Sequence, residues 1–324
     1  MQFFNLEHQQ TRLIELIQKG IDNVLAHGQY ILGPEVSQLE SELCDYTNSE
    51  NCITCANGTD ALQIALMAIN IKSGDEVIVP AFTYISPAEA VAILGAKPVY
   101  VDIDPNTYNI DAKKIEEKIS NKTKAIIAVS LYGQCANFIE INKIAKKHNL
   151  VVIEDAAQSF GAIQENKKSC NLSDIATTSF FPTKPLGCYG DGGAIFTNDK
   201  DLAFSMKQIS RHGQSKRYHH QVVGLNSRLD SIQAAILLAK LSVLEEEVEL
   251  RDKVASRYIN LMEHLDLKSI PYIEDGNQSV WAQYTIEVEN RKLMQEELKK
   301  NNIPTAVHYP VPLNQQPAVS SSKL

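Results

Sequence analysis

The chain has little that would tie it to a membrane, a nucleic acid or a metal. No stretch of 18 apolar residues occurs in its 324 residues, so no membrane-spanning helix is predicted. The start, Met1-Gln2-Phe3-Phe4-Asn5-Leu6-Glu7, has neither the basic residues nor the apolar core of a secretion signal, and a cytoplasmic location is expected. Lys and Arg never cluster, and 31 of them against 39 Asp and Glu leave a net charge of -8, so no nucleic-acid partner is expected. The six cysteines are scattered. Cys52 and Cys55 form a C-x-x-C pair, but no second pair completes a four-thiolate site. They read as small residues of a buried strand and turn, and no metal is expected. There is no Walker A sequence, no dinucleotide-binding glycine fingerprint, no internal repeat and no low-complexity segment. The final tripeptide, Ser322-Lys323-Leu324, spells a peroxisomal address, a match too short to be specific.

What is present is the composition of a globular α/β protein, with 44% hydrophobic and 22% charged residues. The length suits one large domain plus a smaller one. Short apolar runs at 76–80, 97–101, 125–129, 151–154, 176–180 and 194–197 predict strands. They alternate with predicted helices at 60–69, 87–94, 111–119 and 137–148. That alternation predicts a parallel sheet covered by helices on both faces. Such sheets bind ligands at the carboxyl ends of their strands. A long helix is expected after Ser227, because Leu229, Ile232, Ile236, Ala239 and Val243 recur at helical spacing. Beyond it, a strand at 284–288, a helix at 291–301 and a proline-rich end suggest a small α/β unit. The expected division is a large domain over 1–240 and a small one over 241–324.

Four segments carry chemistry at strand ends or helix starts. Asn57-Gly58-Thr59-Asp60-Ala61-Leu62 is a small-residue turn opening a helix, which reads either as a phosphate cradle or as a plain N-cap. Val151-Val152-Ile153-Glu154-Asp155 is an apolar strand ending in two carboxylates, which could face a cofactor or cap the next helix. Pro182-Thr183-Lys184-Pro185-Leu186-Gly187-Cys188-Tyr189-Gly190-Asp191-Gly192-Gly193 puts a lysine between prolines ahead of a glycine-rich loop. A lysine held rigidly in a desolvated pocket loses basicity and can form a Schiff base; the plainer reading is a surface lysine in a turn. Gly224-Leu225-Asn226-Ser227-Arg228-Leu229 either offers Arg228 to a carboxylate and Asn226 to a phosphate, or simply caps the long helix. Each is ambiguous alone. Together, Lys184, Asp155 and the Gly58-Thr59 turn supply the Schiff-base lysine, the acid for a pyridinium nitrogen and the phosphate cradle that pyridoxal phosphate (PLP) requires.

At this point the chain resembles the DegT/DnrJ/StrS sugar aminotransferases, a family of fold-type-I PLP enzymes. The likeness runs from about residue 3 to 317. It rests on Gly28-Gln29-Tyr30-Ile31-Leu32-Gly33-Pro34-Glu35, Ala56-Asn57-Gly58-Thr59-Asp60-Ala61-Leu62, Pro80-Ala81-Phe82-Thr83-Tyr84, Glu154-Asp155-Ala156-Ala157-Gln158, the 179–193 segment, the 224–229 segment and His308-Tyr309-Pro310-Val311-Pro312-Leu313. The resemblance implies a mostly parallel seven-stranded sheet sandwiched by helices, with a smaller C-terminal α/β domain. It implies that Lys184 carries the cofactor and shuttles the proton, and that Asp155 pairs with the pyridinium nitrogen. Gln158 would lie near the ring hydroxyl and Tyr84 on the ring face. Gly58, Thr59, Asp60 and Ser179 would hold the phosphate, and Asn226 would reach it from a partner subunit, which implies a homodimer with shared active sites. Gly28, Tyr30, Thr183, Arg228, His308 and Tyr309 would contact substrate.

Within the family the 180–193 segment is most similar to the UDP-2-acetamido-2-deoxy-ribo-hexuluronate aminotransferases. These move an amino group from L-glutamate to C3 of a UDP-linked 3-keto sugar acid for surface polysaccharide such as O-antigen. Alternatives are a C4 aminotransferase acting on a UDP- or dTDP-4-keto-6-deoxy sugar and, in a different class, a PLP-binding regulator without turnover. A sugar dehydratase of this fold would carry histidine in place of Lys184. Family members usually continue past Gln315-Gln316-Pro317 into a helix of the small domain, so the chain is expected to be truncated at Leu324.

Overall fold

The computed structural model describes residues 3–265 and 267–320, so the Ser322-Lys323-Leu324 tripeptide lies outside the described residues. The chain opens with helix α1 (Glu7–His27), which buries Leu13, Ile17 and Val24 on one stripe. Helix α2 (Pro34–Thr47) follows, with proline at its first position, where no intrahelical donor is needed. Then come β1 (Asn51–Cys55), α3 (Gly58–Ala68), β2 (Glu76–Pro80), α4 (Ser86–Ile93), β3 (Lys97–Val101), β4 (Thr123–Val129), α5 (Phe138–His148) and β5 (Val151–Asp155). The short strands β6 (Ile163–Gln164) and β7 (Lys167–Lys168) precede β8 (Ile175–Ser179), β9 (Gly193–Thr197) and α6 (Lys200–Ile209). A small hairpin, β10 (Gln214–Lys216) and β11 (His219–His220), leads to α7 (Ser231–Leu241) and α8 (Leu244–Met262). The last elements are β12 (Asn277–Gln278) and α9 (Arg291–Lys300).

Seven strands form one sheet in the order β1-β9-β8-β5-β4-β2-β3. Only β9 runs against its neighbours. Neighbouring residues along a strand face opposite sides of the sheet, and the core divides accordingly. Ile78, Ile126 and Val152 point into one apolar cluster with α2, α5, α7 and α8. Val77, Val79, Ile127 and Ile153 point into a second cluster with α3, α4 and α6. The strands predicted at 76–80 and 97–101 are observed as expected, and the other four shift by a residue or two. Cys52 and Cys55 sit buried in β1.

Three expectations need correction. The 111–119 segment is not an α-helix but two 3-10 turns, Ala112–Lys114 and Glu116–Lys118. The Asp111 carboxylate accepts from Lys113 N–H and tightens the first turn, and Ile119 is already extended. The long helix after Ser227 is broken between Leu241 and Leu244, giving α7 and α8, although its apolar stripe is real: Ile232, Ile236, Ala239 and Val243 pack on Leu13, Ile17 and Ile21 of α1. The 284–288 run is not a strand. Glu287 makes one isolated bridge with Ser269, and Tyr284 is held by ring contacts with Tyr258 and Trp281, at centroid distances of 5.1 and 5.8 Å. No ladder partner lies beside it among the described residues.

The C-terminal part is knitted to the large one. β12 pairs with β6. Leu313 N–H donates to Ala81 O at 2.7 Å, the Tyr100 hydroxyl donates to Val319 O at 2.6 Å, and Leu313 and Val319 join the second cluster.

Glu154 and Asp155 end the same strand but face opposite sides. Glu154 is fully buried, accepting from Ser169 Oγ at 2.5 Å and from Cys170 N–H at 3.0 Å. Burial pushes its carboxyl up to about 7. A raised carboxyl favours the folded state most below the unfolded pKa, and that contribution is lost as pH rises through 7. Relative to the parent, Glu154→Gln should therefore gain stability on the order of 2 kcal/mol between pH 5.5 and 8. Urea unfolding at the two pH values checks this; parallel pH profiles for parent and variant would refute it.

Candidate active site

The carboxyl edge of the sheet collects most of the expected residues. Cys55 at the end of β1 pairs with Gly193, and Gly193 pairs with Ser179 at the end of β8. Asp155 at the end of β5 pairs with Thr177 of β8. Strand register alone thus brings the 57–60 turn, Ser179, Asp155 and the loop carrying Lys184 to one edge.

The 57–60 turn opens α3. Asn57 caps the helix by accepting from Asp60 N–H at 2.8 Å, so that Asp60 donor is already engaged. The N–H groups of Gly58 and Thr59 stand ahead of the helix ladder and point outward with its positive end. Thr59 Oγ1 lies 2.7 Å from Ser86 Oγ. A Cβ on Gly58 would come within 2.8 Å of Ser179 Cβ, so only glycine lets the turn approach β8 this closely. The result is a concave cradle of two N–H groups and the Ser179 hydroxyl, suited to a phosphate.

The loop after β8 folds back on itself. Lys184 N–H donates to Phe181 O at 2.9 Å and Cys188 N–H to Phe180 O at 2.8 Å. Gly187 is required here, since a Cβ would meet Pro182 O at 2.6 Å. The Lys184 side chain is half-buried, and among the described residues its amine has no hydrogen bond or ion pair. Burial lowers its pKa, and the Asp155 charge raises it again by a smaller amount. Asp155 is 6% exposed. Burial raises its pKa, opposed by the Ala157 N–H bond to Oδ1 (3.0 Å) and by the Lys184 charge. Both groups are thus pushed toward their neutral forms, close enough to sense each other yet not paired.

A wall of rings closes the other side. Tyr309 lies 6.1 Å from Phe82 and 6.2 Å from Tyr84, measured between ring centroids. Gln158 donates from Nε2 to the Tyr309 hydroxyl at 3.1 Å. Burial pushes that hydroxyl up to about 12. His308 is half-buried, with its pKa lowered first by desolvation and then by the Lys184 charge. Thr183 is exposed beside Lys184.

Gly28, Tyr30, Asn226 and Arg228 form a separate group. Ile31 bridges Asp230, Ser231 N–H donates to Tyr30 O at 2.8 Å, and Asn226 bridges Arg211. Ser227 Oγ accepts from Ala56 N–H at 3.1 Å, which ties this group to the cradle's base. Among the described residues, no hydrogen bond, ion pair or ring contact joins these four residues to Lys184, Asp155 or His308. Sequence reasoning missed Tyr132, which donates to Gln158, and Ser86, which touches Thr59. A cleft of about 550 Å³ between Phe82, Tyr100, Lys114 and Pro312 includes neither Lys184 nor Asp155. Among the described residues, no group of His, Cys, Asp or Glu could hold a metal ion.

Comparison with known proteins identifies the family. Residues 11–324 match the DegT/DnrJ/EryC1/StrS aminotransferase family model. A UDP-2-acetamido-2-deoxy-3-oxo-D-glucuronate aminotransferase from Pseudomonas aeruginosa is 60% identical, over 100% of this chain and 90% of that protein. A crystal structure of a DegT DnrJ EryC1 StrS aminotransferase from Brucella abortus superposes with a TM-score of 0.95 at 44% identity, covering 98% of this chain and 87% of that one. DesV from S. venezuelae, solved in complex with a ketimine intermediate, gives a TM-score of 0.96 at 35% identity, covering 98% and 86%.

The cradle makes a direct prediction. Gly58→Val should weaken PLP binding by about tenfold or more, the effect of losing on the order of 1.4 kcal/mol of phosphate contact. Titration of the visible absorbance measures it, and unchanged affinity would place the phosphate elsewhere.

Proposed function

The chain belongs to the DegT/DnrJ/EryC1/StrS aminotransferase family, and from that premise we propose that it moves an amino group from L-glutamate to C3 of UDP-2-acetamido-2-deoxy-3-keto-glucuronic acid. The product is a 2,3-diamino uronic acid precursor for surface polysaccharide. The chain is a PLP-dependent aminotransferase acting on a nucleotide sugar. The observation that carries the reading at the site is the unpaired Lys184 amine, held beside a buried Asp155 and a phosphate-sized cradle at one sheet edge.

When bound, PLP supplies an electron sink for the carbanion left by proton removal. The residues of the chain do the rest. Gly58 and Thr59 N–H and Ser179 Oγ would receive the phosphate at the positive end of α3. Asp155 would face the ring nitrogen, where a cationic partner would favour its ionised form against the cost of burial. Lys184, made less basic by burial, would hold the cofactor through its amine and, once released, would serve as the proton carrier at the substrate carbon. Tyr84 and Tyr309 would limit water on the open side, and Gln158, tied to the Tyr309 hydroxyl, would lie near the ring hydroxyl. His308, Tyr309 and Thr183 meet the substrate.

Arg228 fits the carboxylate of the sugar acid and of glutamate. It carries no ion pair among the described residues and lies near Arg211, whose basicity is lowered first by burial and, to a smaller extent, by the Arg228 charge. A planar guanidinium in that state suits bidentate carboxylate binding. The surface near this group is apolar, with Tyr30 49% and Val223 84% exposed. That supports a homodimer in which Asn226 reaches the partner's phosphate and Gly28 and Tyr30 contact the nucleotide sugar.

The deciding experiment incubates the protein with glutamate and a panel of UDP- and dTDP-keto sugars, with products read by mass spectrometry. Amination of the 3-keto uronate alone is expected; preference for a 4-keto-6-deoxy sugar would overturn the C3 reading. Lys184→Ala should lose both transfer and the visible absorbance of the bound cofactor. Arg228→Ala should weaken the uronate substrate by roughly 10- to 100-fold, the worth of a hydrogen bond to a charged group. An unchanged KM for the uronate would remove Arg228 from the site.

A further inference from the structure

Tyr132 has no role in the reading above, yet its groups reach three parts of the site. It lies in the turn after β4 with φ of 60°, a left-handed conformation that residues other than glycine seldom adopt. Its N–H donates to Gln158 Oε1 at 2.9 Å, and the other end of that amide donates to the Tyr309 hydroxyl at 3.1 Å. Its own hydroxyl donates to the His308 carbonyl, with Thr285 beside it. Its ring stands edge-on to Tyr108 at 5.5 Å.

The stretch these bonds hold has little else. Among the described residues, no backbone–backbone hydrogen bond involves 304–311. Pro304 and Pro310 lack donors of their own. The next backbone anchor is Leu313 N–H on Ala81 O. The placement of His308 and Tyr309 next to Lys184 therefore depends on side-chain ties.

We propose that Tyr132 is a positioning residue for the amino transfer: it holds His308 and Tyr309 beside the Lys184 amine, one through its hydroxyl and the other through Gln158. The proposal rests on the assignment of Lys184 and the 308–309 stretch to the active site. Tyr132 touches neither the reacting atoms nor, through its own side chain, the cradle. It acts by fixing where substrate-contacting groups stand, so its loss is felt in substrate capture ahead of cofactor loading.

Tyr132→Phe tests this in the full chain loaded with PLP. The variant keeps the ring on Tyr108 and the backbone turn and removes only the hydroxyl, with its bonds to the His308 carbonyl and Thr285. Three results are expected. The visible absorbance of the bound cofactor and the thermal midpoint stay as in the parent. The kcat/KM for the keto sugar falls by roughly 3- to 10-fold, mainly through KM, the net worth of one neutral hydrogen bond. Thermolysin cleavage between Ala306 and Val307 speeds up by a similar factor, because cleavage tracks local opening. Parental cleavage together with parental kcat/KM would overturn the proposal, and so would faster cleavage without a kinetic change. Lys184→Ala separates the two readings. If that variant still transfers the amino group, the assignment of the site fails. If it is inactive while Tyr132→Phe behaves as the parent, only the positioning role fails.

Discussion

A lysine amine partly withdrawn from water and kept out of an ion pair is the constraint on which the site depends. An exposed Lys184 would be an ammonium ion and a poor nucleophile at neutral pH. A Lys184 in full contact with Asp155 would be a salt bridge, charged and occupied. The structure does neither. Half-burial lowers the lysine's pKa, and Asp155 returns part of that shift from a distance. The separation is set by the sheet: Asp155 ends β5, while Lys184 hangs on a loop that leaves the adjacent β8 and turns back on itself. Register in the core thus controls an electrostatic balance at the edge.

How much of this is legible in the sequence depends on how local the cause is. Lys184 announces itself because the residues that shape its loop are its neighbours: prolines at 182 and 185, and Gly187, whose missing Cβ permits the fold-back. The 57–60 turn is legible for the same reason. The strand at 76–80 is legible because a buried parallel strand reads as an apolar run, and that at 97–101 because its valines and tyrosine suit an extended chain. The misread elements have non-local causes. The 284–288 run alternates like a strand but finds no ladder among the described residues, and its aromatic partners come from α8 and Trp281. The break between α7 and α8 is masked because the apolar stripe packed on α1 runs from Ile232 through to Val243, inside the break itself. At 111–119 the balance between a helix and two tight turns hangs on one aspartate side chain.

The site residues divide in the same way. Asp155, Gln158 and Tyr309 come from motifs whose chemistry is visible. Tyr132 sits in Leu131-Tyr132-Gly133, where nothing in the residue types signals a left-handed tyrosine. Its importance lies in the distance it spans: it joins a turn after β4 to a proline-flanked stretch 176 residues later. Contacts of that reach follow from topology, since the central strands must first place β4 beside β5 before Tyr132 can meet Gln158.

The adjacent carboxylates Glu154 and Asp155 show how one strand serves both folding and chemistry. The pleat sends them to opposite faces. Glu154 turns inward to Ser169 and Cys170, where its donors partly offset the cost of burying a charge. Asp155 turns to the open edge, with one backbone donor on Oδ1. The carboxylate with more donors is the one that secures the β6–β7 excursion, and the one with fewer is left able to accept a cationic ring nitrogen. A motif that looks redundant in one dimension, two acids in a row, is a division of labour once the strand has two sides.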